Sequence, residues 1–425
     1  MASLKDKLAA RIPAVREEIG KIVRDHGDHV ISQVTVAQAY GGMRGVKCMV
    51  CDTSVVHPDT GLILRGTPLA QLTDRKPEEI FWLLLTGELP DSSELAELEA
   101  DLATRRELPP HVIDTLRAQP RTSHPMAMLG MGLLALEQGS KFRARYNEGM
   151  SKDEYWVYAL EDSLDVIAKL VGLAAAVYRI RYDLGDLIAW DTQLDWSANL
   201  PHMMGVGEAG GALGDLMRLY LALHADHEGG NVSANLCHTA GSALSDPYYA
   251  VSAGLAGLAG PLHGLANQEC LKFHLAIQKK FNGAPSQEQL QDYAWEVLKS
   301  GRVIPGFGHA VLRATDPRYT ALREFALKHC ADHELYKIAE AMYQVIPGVL
   351  TEHGKAKNVN PNVDALSGVL LYTYGVTQPR FYTAIFGVSR ALGMLAQLVL
   401  NRAMGTPITR PKSVSTAWIK QQIGA

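Results

Sequence analysis

Apolar residues recur at helical spacing along most of this chain, and strand-like patterning is confined to one stretch near the N-terminus. Residues 3–26 predict an amphipathic helix. The same period runs through PEEIFWLLLTG, SSELAELEADLATRRE, 153–184 and 206–225. Residues 31–66 differ: VISQVTV, VKCMVCDTSVV and LILRG, separated by GG and PDTG, predict strands. Residues 232–259 predict a small-residue helix ending in VSAGLAGLAG. Each glycine there costs roughly 1 kcal/mol against alanine, a loss that close packing on another helix or subunit offsets. The segment 381–400, FYTAIFGVSRALGMLAQLVL, is apolar all round and long enough to cross a bilayer. Arg390 at its centre would cost roughly 2.5–3.5 kcal/mol there. No second span is comparable, so a central buried helix of a large soluble domain is expected. Its guanidinium needs a partner, by default an internal carboxylate and otherwise an anionic ligand.

The expected fold is therefore mainly α, multi-helical, with a small β segment near the N-terminus. At 425 residues a large domain with a smaller one is the natural division. With 47% hydrophobic and 20% charged residues the composition is that of a folded soluble protein. A net charge of −4 gives no reason to expect nucleic acid or an anionic membrane as partner. Five cysteines, an odd number, point to a reducing compartment. Cys48 and Cys51 form a C-x-x-C without a second pair for zinc, and are expected on or near a strand. The first twenty residues carry acids as well as bases and lack an apolar core, unlike a transit peptide or secretory signal. QQIGA at the other end is no peroxisomal address. These ends suit a cytosolic chain or a processed mature one.

Chemistry concentrates where titratable side chains sit beside glycine: His227 in DHEGGNVSAN, His263 in GPLHGLANQE, His309 in PGFGHAVLR, and Asp364 in PNVDALSG. Glycine leaves room for a ligand against the ring. Pro261 suits the first helical position, which would put His263 in the first turn of the helix through GLANQECLKFHLAIQKK. The helix dipole would keep that imidazole neutral, still able to donate to an oxyanion. Pro305, Gly306 and Gly308 predict an irregular loop of exposed amides around His309, with Arg313 and Arg318 supplying cations for phosphate or carboxylate. Asp364 by spacing is an N-cap of a helix from about Ala365, and becomes a base only if a weak carbon acid reaches it. Lys355 and Lys357 form a short basic patch. His224, His227 and His238 raise a metal site, but no H-E-x-x-H or carboxylate at ligand spacing accompanies them, so none is expected.

HEGGNVSA, GPLHGLANQE, SGRVIPGFGHAVLR, PNVDA, FGVSRALG and RPKS, in this order from the YGGMRG segment onward, resemble citrate synthase of the mitochondrial eukaryotic type. The resemblance implies a helical homodimer, with 1–264 and 376–425 as the large domain and 265–375 as a small domain closing over the site. It implies condensation of acetyl-CoA with oxaloacetate through an enol, followed by hydrolysis of citryl-CoA, with no permanently bound cofactor. Asp364 would be the base, His263 the donor to the enol oxygen, and His309 the acid at the oxaloacetate carbonyl. His227, Arg318 and Arg390 would hold oxaloacetate, with Arg410 reaching the partner's site. Coenzyme A would meet the main chain of 303–309 (Val303, Gly306, Gly308), Arg313, Lys355, Lys357 and Arg44. The mitochondrial matrix is the location implied.

Asn235 and Leu366 stand where the mitochondrial pattern has histidine. Relatives that make 2-methylcitrate from propionyl-CoA also lack histidine after NVDA, so that activity is the nearest alternative. A methylene is worth only about 1–3 kcal/mol of discrimination, within reach of a small pocket change. A non-catalytic scaffold that kept the fold is a further alternative, for which Asp364, His263 and His309 would be unnecessary.

Overall fold

The computed structural model describes residues 3–309 and 311–424. Among these residues the chain forms 19 α-helices and a single three-stranded sheet. The first helix, Leu4–His26, starts where Ser3 and Asp6 cap one another's amides. The expected helices appear as Pro77–Thr86, Ser92–Arg105, Tyr155–Tyr182 and Ala212–Leu223. Tyr382–Met404 is the central helix, packed by Tyr155–Tyr182, Pro77–Thr86, Val232–Ser242 and Pro247–Leu258. In its most apolar window 89% of the residues are buried inside the protein, so its hydrophobicity is spent on core packing. Helices between Ala266 and Thr373 pack mainly on each other. Ala266–Phe281 and Glu334–His353 both meet Asp364–Thr373.

Two expectations need correction. The strand-like stretch 31–66 yields only β1 (Ser54–His57), β2 (Gly61–Leu64) and β3 (Thr67–Pro68), an antiparallel meander with Ser54 opposite Leu64. VISQVTV makes no strand, Val36–Tyr40 is a short helix capped by Thr35, and Cys48 and Cys51 lie in irregular chain. Val30, Ile31, Val34 and Val50 are exposed, so their β-branched side chains have no sheet neighbour to pack on. The second correction is at 232–259, which is two helices, Val232–Ser242 and Pro247–Leu258. Leu244 turns with φ 65°, and Asp246 caps the second helix ahead of Pro247. Close packing is still the reason for the small residues. A Cβ on Gly257 would lie 2.7 Å from Leu236 Cδ1 and 3.0 Å from Val232 Cγ1.

A closer approach occurs where the central helix meets the loop after Ala212–Leu223. The Gly393 N–H donates to Ala225 O at 3.1 Å. A Cβ there would come within 2.5 Å of both Ala225 O and Asp226 Oδ1. Gly393→Ala is expected to cost about 1–3 kcal/mol of stability through overpacking. Gly130→Ala, where the added methyl meets nothing within 4 Å, should be neutral or stabilising. Urea denaturation of both variants checks this, and equal midpoints would contradict it.

Candidate active site

The loop carrying His227 is held from two sides. Asp226 is buried and accepts from Thr53 Oγ1 at 2.5 Å, Ser54 Oγ at 2.9 Å and Gln397 Nε2 at 2.7 Å. Glu228, at φ 61°, donates its N–H to Ser54 Oγ and accepts the Val56 N–H, both at 2.7 Å. β1 and the central helix thus fix the backbone on either side of His227. Burial, then the charges of Arg318 and Arg390, hold its imidazole well below its usual pKa and keep it neutral. The His227 ring lies 5.8 Å from that of His309. Asp226 carries only a weak local signal in the sequence, an acid directly before HEGG.

His263 is not in a helix, contrary to expectation. It sits in the turn between Pro247–Leu258 and Ala266–Phe281, its N–H donating to Gly260 O at 3.0 Å. The turn is pressed against the central helix. Thr383 Oγ1 donates to Gly264 O, and a Cβ on Gly264 would lie 2.1 Å from Leu258 O. A helix N-terminus does face the ring, but it belongs to Val232–Ser242. The Ser233 N–H donates to His263 Nε2 at 3.3 Å, and Ser233 Oγ lies 3.0 Å from the same nitrogen; with Nε2 accepting from the amide, the imidazole proton is assigned to Nδ1. Burial, with Arg390 nearby, lowers the His263 pKa to about 4.

Arg390 is buried, yet among the described residues it forms no ion pair, so the expected internal carboxylate partner is absent. Its Nε donates to His224 O at 3.1 Å and its Nη1 to Asn231 Oδ1 at 3.3 Å, with the guanidinium 4.8 Å over Phe386. Burial pulls its pKa down to about 10. Such a charge suits an anionic ligand. Arg318 differs in being half-committed. Its Nε and Nη2 fork onto Asp316, with Nη2 2.7 Å from Oδ2. Burial opposes ionisation of Asp316, but Arg318 outweighs it and sets the pKa at about 2. Asp316 also caps Pro317–His329 and accepts the Val363 N–H. Asp316 is a residue the sequence reading does not single out: an Asp before Pro is a local sign of a helix cap, but its grip on Arg318 has no local signature.

His309 and Asp364 share one scaffold. The N–H groups of Val311 and Leu312 both donate to His309 Nδ1 at 3.0 Å, which leaves the proton on Nε2. Burial and then Arg318 lower its pKa. Gly306 and Gly308 take φ of 85° and 91°, and a Cβ on Gly306 would strike Ala365 and Cys270. Asn362 joins the loop to the helix Asp364–Thr373. Its N–H donates to Gly306 O, its Nδ2 to Gly308 O, and its Oδ1 accepts the Asp364 N–H. Asn362 is therefore the capping side chain, not Asp364 as spacing suggested. Relieved of that duty, the Asp364 carboxylate stays free in the first turn. Burial raises its pKa to about 6, against the pull of Arg318 and with a further push from Asp316.

Of the remaining candidates, Arg313 stays close to His309, and the others lie on exposed chain. The Arg313 N–H donates to Pro58 O, and its Nη1 folds back on Val311 O and Leu312 O. Val303 is 81% exposed, and Lys355 and Lys357 lie exposed after Glu334–His353. Arg44 lies in an exposed turn and Arg410 in an exposed tail, with no hydrogen bond or ion pair joining either to the residues above. His224 bonds Tyr220 O and stacks on that ring, while His238 bonds Asn401 and Thr409.

Six side chains are therefore brought together by hydrogen bonds, ring contacts or the charges they feel from one another: His227, His263, His309, Arg318, Arg390 and Asp364. A free carboxylate of raised pKa and two neutral imidazoles protonated on opposite nitrogens suit proton removal from a weak carbon acid beside an anion. Residues 42–412 match the family described as citrate synthase, C-terminal domain. The chain is an enzyme of the citrate synthase family. It is 50% identical to the mitochondrial citrate synthase of Saccharomyces cerevisiae, over 99% of this chain and 90% of that one. It is 48% identical to the mitochondrial 2-methylcitrate synthase of Yarrowia lipolytica, over 99% and 93%. Among solved structures, the citrate synthase of Pyrobaculum aerophilum aligns with a TM-score of 0.78 at 28% identity, covering 88% of this chain and 92% of that one.

The raised pKa of Asp364 has a thermodynamic signature. The folded state holds this proton more tightly than the unfolded chain, so this group's contribution to stability falls as pH rises from about 4 to about 6 and stays lower above. Asp364→Asn is expected to be more stable than the parent at pH 7 by about 1–3 kcal/mol, with no difference below pH 4. Denaturant titrations at the two pH values measure this, and a variant that is less stable at pH 7 would refute it.

Proposed function

We propose that this enzyme condenses acetyl-CoA with oxaloacetate and water to give citrate and coenzyme A. The observation that carries the reading is the pair of opposed tautomers around a free carboxylate: Nδ1–H on His263, Nε2–H on His309, and Asp364. Asp364 takes a proton from the acetyl methyl while His263 Nδ1–H supports the oxygen of the resulting enol. The enol carbon attacks the oxaloacetate carbonyl, whose oxygen takes the His309 Nε2 proton, and water then cleaves the citryl thioester. Arg390, Arg318 and His227 hold the oxaloacetate carboxylates. The 303–309 main chain, Arg313, Lys355, Lys357 and Arg44 bind coenzyme A.

The mutual packing of helices between Ala266 and Thr373 supports a small domain of 265–375 that closes on the remainder, excluding water during condensation. In a homodimer, Arg410 of each copy completes the other copy's oxaloacetate site. A mitochondrial matrix location fits the mitochondrial relatives, though a peroxisomal citrate synthase of Saccharomyces cerevisiae is also 47% identical. A second reading, 2-methylcitrate synthesis from propionyl-CoA, is favoured by the Yarrowia relative and by Leu366. That side chain is fully buried two residues beyond Asp364.

Thiol release with oxaloacetate in excess should favour acetyl-CoA over propionyl-CoA. Equal or faster propionyl-CoA turnover would move the assignment to 2-methylcitrate, and no release from either would refute the reaction. Asp364→Ala should lower kcat by about 100- to 10,000-fold. In the parent, kcat/KM for acetyl-CoA should fall as pH drops through about 6, where Asp364 takes up its proton. A flat profile from pH 5 to 8 would remove Asp364 as the base.

A further inference from the structure

The tail after the central helix leaves at Gly405, in the left-handed conformation, and runs exposed to Ser415 except where it is tied down. The Thr406 N–H donates to Asn401 O at 3.0 Å. The last tie before Arg410 is Thr409. Its Oγ1 lies 3.0 Å from His238 Nε2, and its N–H donates to Ser242 Oγ at 2.9 Å. Asn401 Nδ2 lies 2.8 Å from His238 Nδ1, so Nδ1 accepts and Nε2–H donates to Thr409. Ser242 Oγ in turn donates to Thr239 O at 2.7 Å. Ile408 beside this tie is 62% exposed, and Arg410 follows it with its side chain in the open.

We propose that His238, with Ser242, is a positioning residue that fixes where Arg410 leaves the subunit, and so sets oxaloacetate affinity in the neighbouring copy. The inference rests on the role proposed for Arg410. The clamp sits on the last two turns of Val232–Ser242. The first turn of the same helix supplies the Ser233 N–H to His263, and its cap Asn231 bonds Arg390. One rigid helix thus sets the subunit's own imidazole and guanidinium at one end and the arginine it lends at the other. A long side chain on a loose tail would spend most of its time elsewhere, weakening its contribution to binding.

The test uses the full-length protein, with thiol release followed as a function of oxaloacetate. His238→Ala should raise KM for oxaloacetate about threefold to tenfold with kcat little changed, as expected when binding common to ground and transition state is lost. His238→Gln, which retains an amide N–H at the Nε2 position, should restore most of the affinity. Thr409→Val removes only the acceptor and should reproduce the His238→Ala effect even if that variant folds poorly. In an Arg410→Ala background neither change should add anything. Additive effects there, or equal losses in kcat and in KM for both substrates, would overturn the clamp while leaving Arg410 in place. An Arg410→Ala enzyme with unchanged oxaloacetate KM would instead remove the Arg410 reading, and the clamp with it.

Discussion

A carboxylate that water cannot reach must be satisfied by its neighbours, and at Asp226 that requirement organises the site. Burial drives its pKa up, opposed chiefly by the Thr53 hydroxyl and the Arg390 charge, with Ser54 and Gln397 adding further donors. The donors come from the lead-in to β1, from β1 itself and from the central helix. They fix the backbone that presents His227, and Gly393 lets the central helix come close enough for this to happen. The small sheet, which covers little of the core, finds its purpose here as an anchor.

Charge arrangement follows the same economy. Arg318 is held by Asp316, which leaves it oriented and only partly neutralised, whereas Arg390 faces the site with carbonyl and amide oxygens alone. Burial first, and then the charge of Arg318, Arg390 or both, pushes the surrounding histidines toward their neutral forms. Neutral rings have one proton each, and the backbone amides of Ser233, Val311 and Leu312 decide which nitrogen carries it. Main-chain geometry thereby sets the acid–base identity of side chains that are chemically alike.

Much of this was legible in the sequence, for local reasons. Long amphipathic periods gave the helices, and glycine beside histidine marked the loops where a ligand can approach. The errors arose where a tertiary partner decided the outcome. VISQVTV has β-branched composition but no neighbouring strand, so propensity was not realised. Asp364 has the spacing of a cap, yet Asn362 reaches the same amide while also holding the Gly308 carbonyl. His263 receives its helix N-terminus from residue 233, thirty positions away, which no local pattern encodes. Burial of Arg390 implies a carboxylate partner by default, because an unpaired buried charge is costly, and its exception is what singles it out. Asp226 and Asp316 escaped notice because buried acids next to His and Pro look ordinary until their partners are seen.

The grip on Asp226 also bears on the order in which the molecule can be assembled. Its partners lie at residues 53, 54 and 397, so the loop between them is closed by contacts from nearly opposite ends of the chain. Contacts so remote in sequence form late, after more local helix pairs have already condensed. During synthesis from the N-terminus, the loop bearing His227 is made long before Gln397 exists to hold it. A nascent chain can therefore carry most of its helices and every histidine of the site while lacking the geometry that makes them a site. Reaction competence is, in this architecture, a late property of folding.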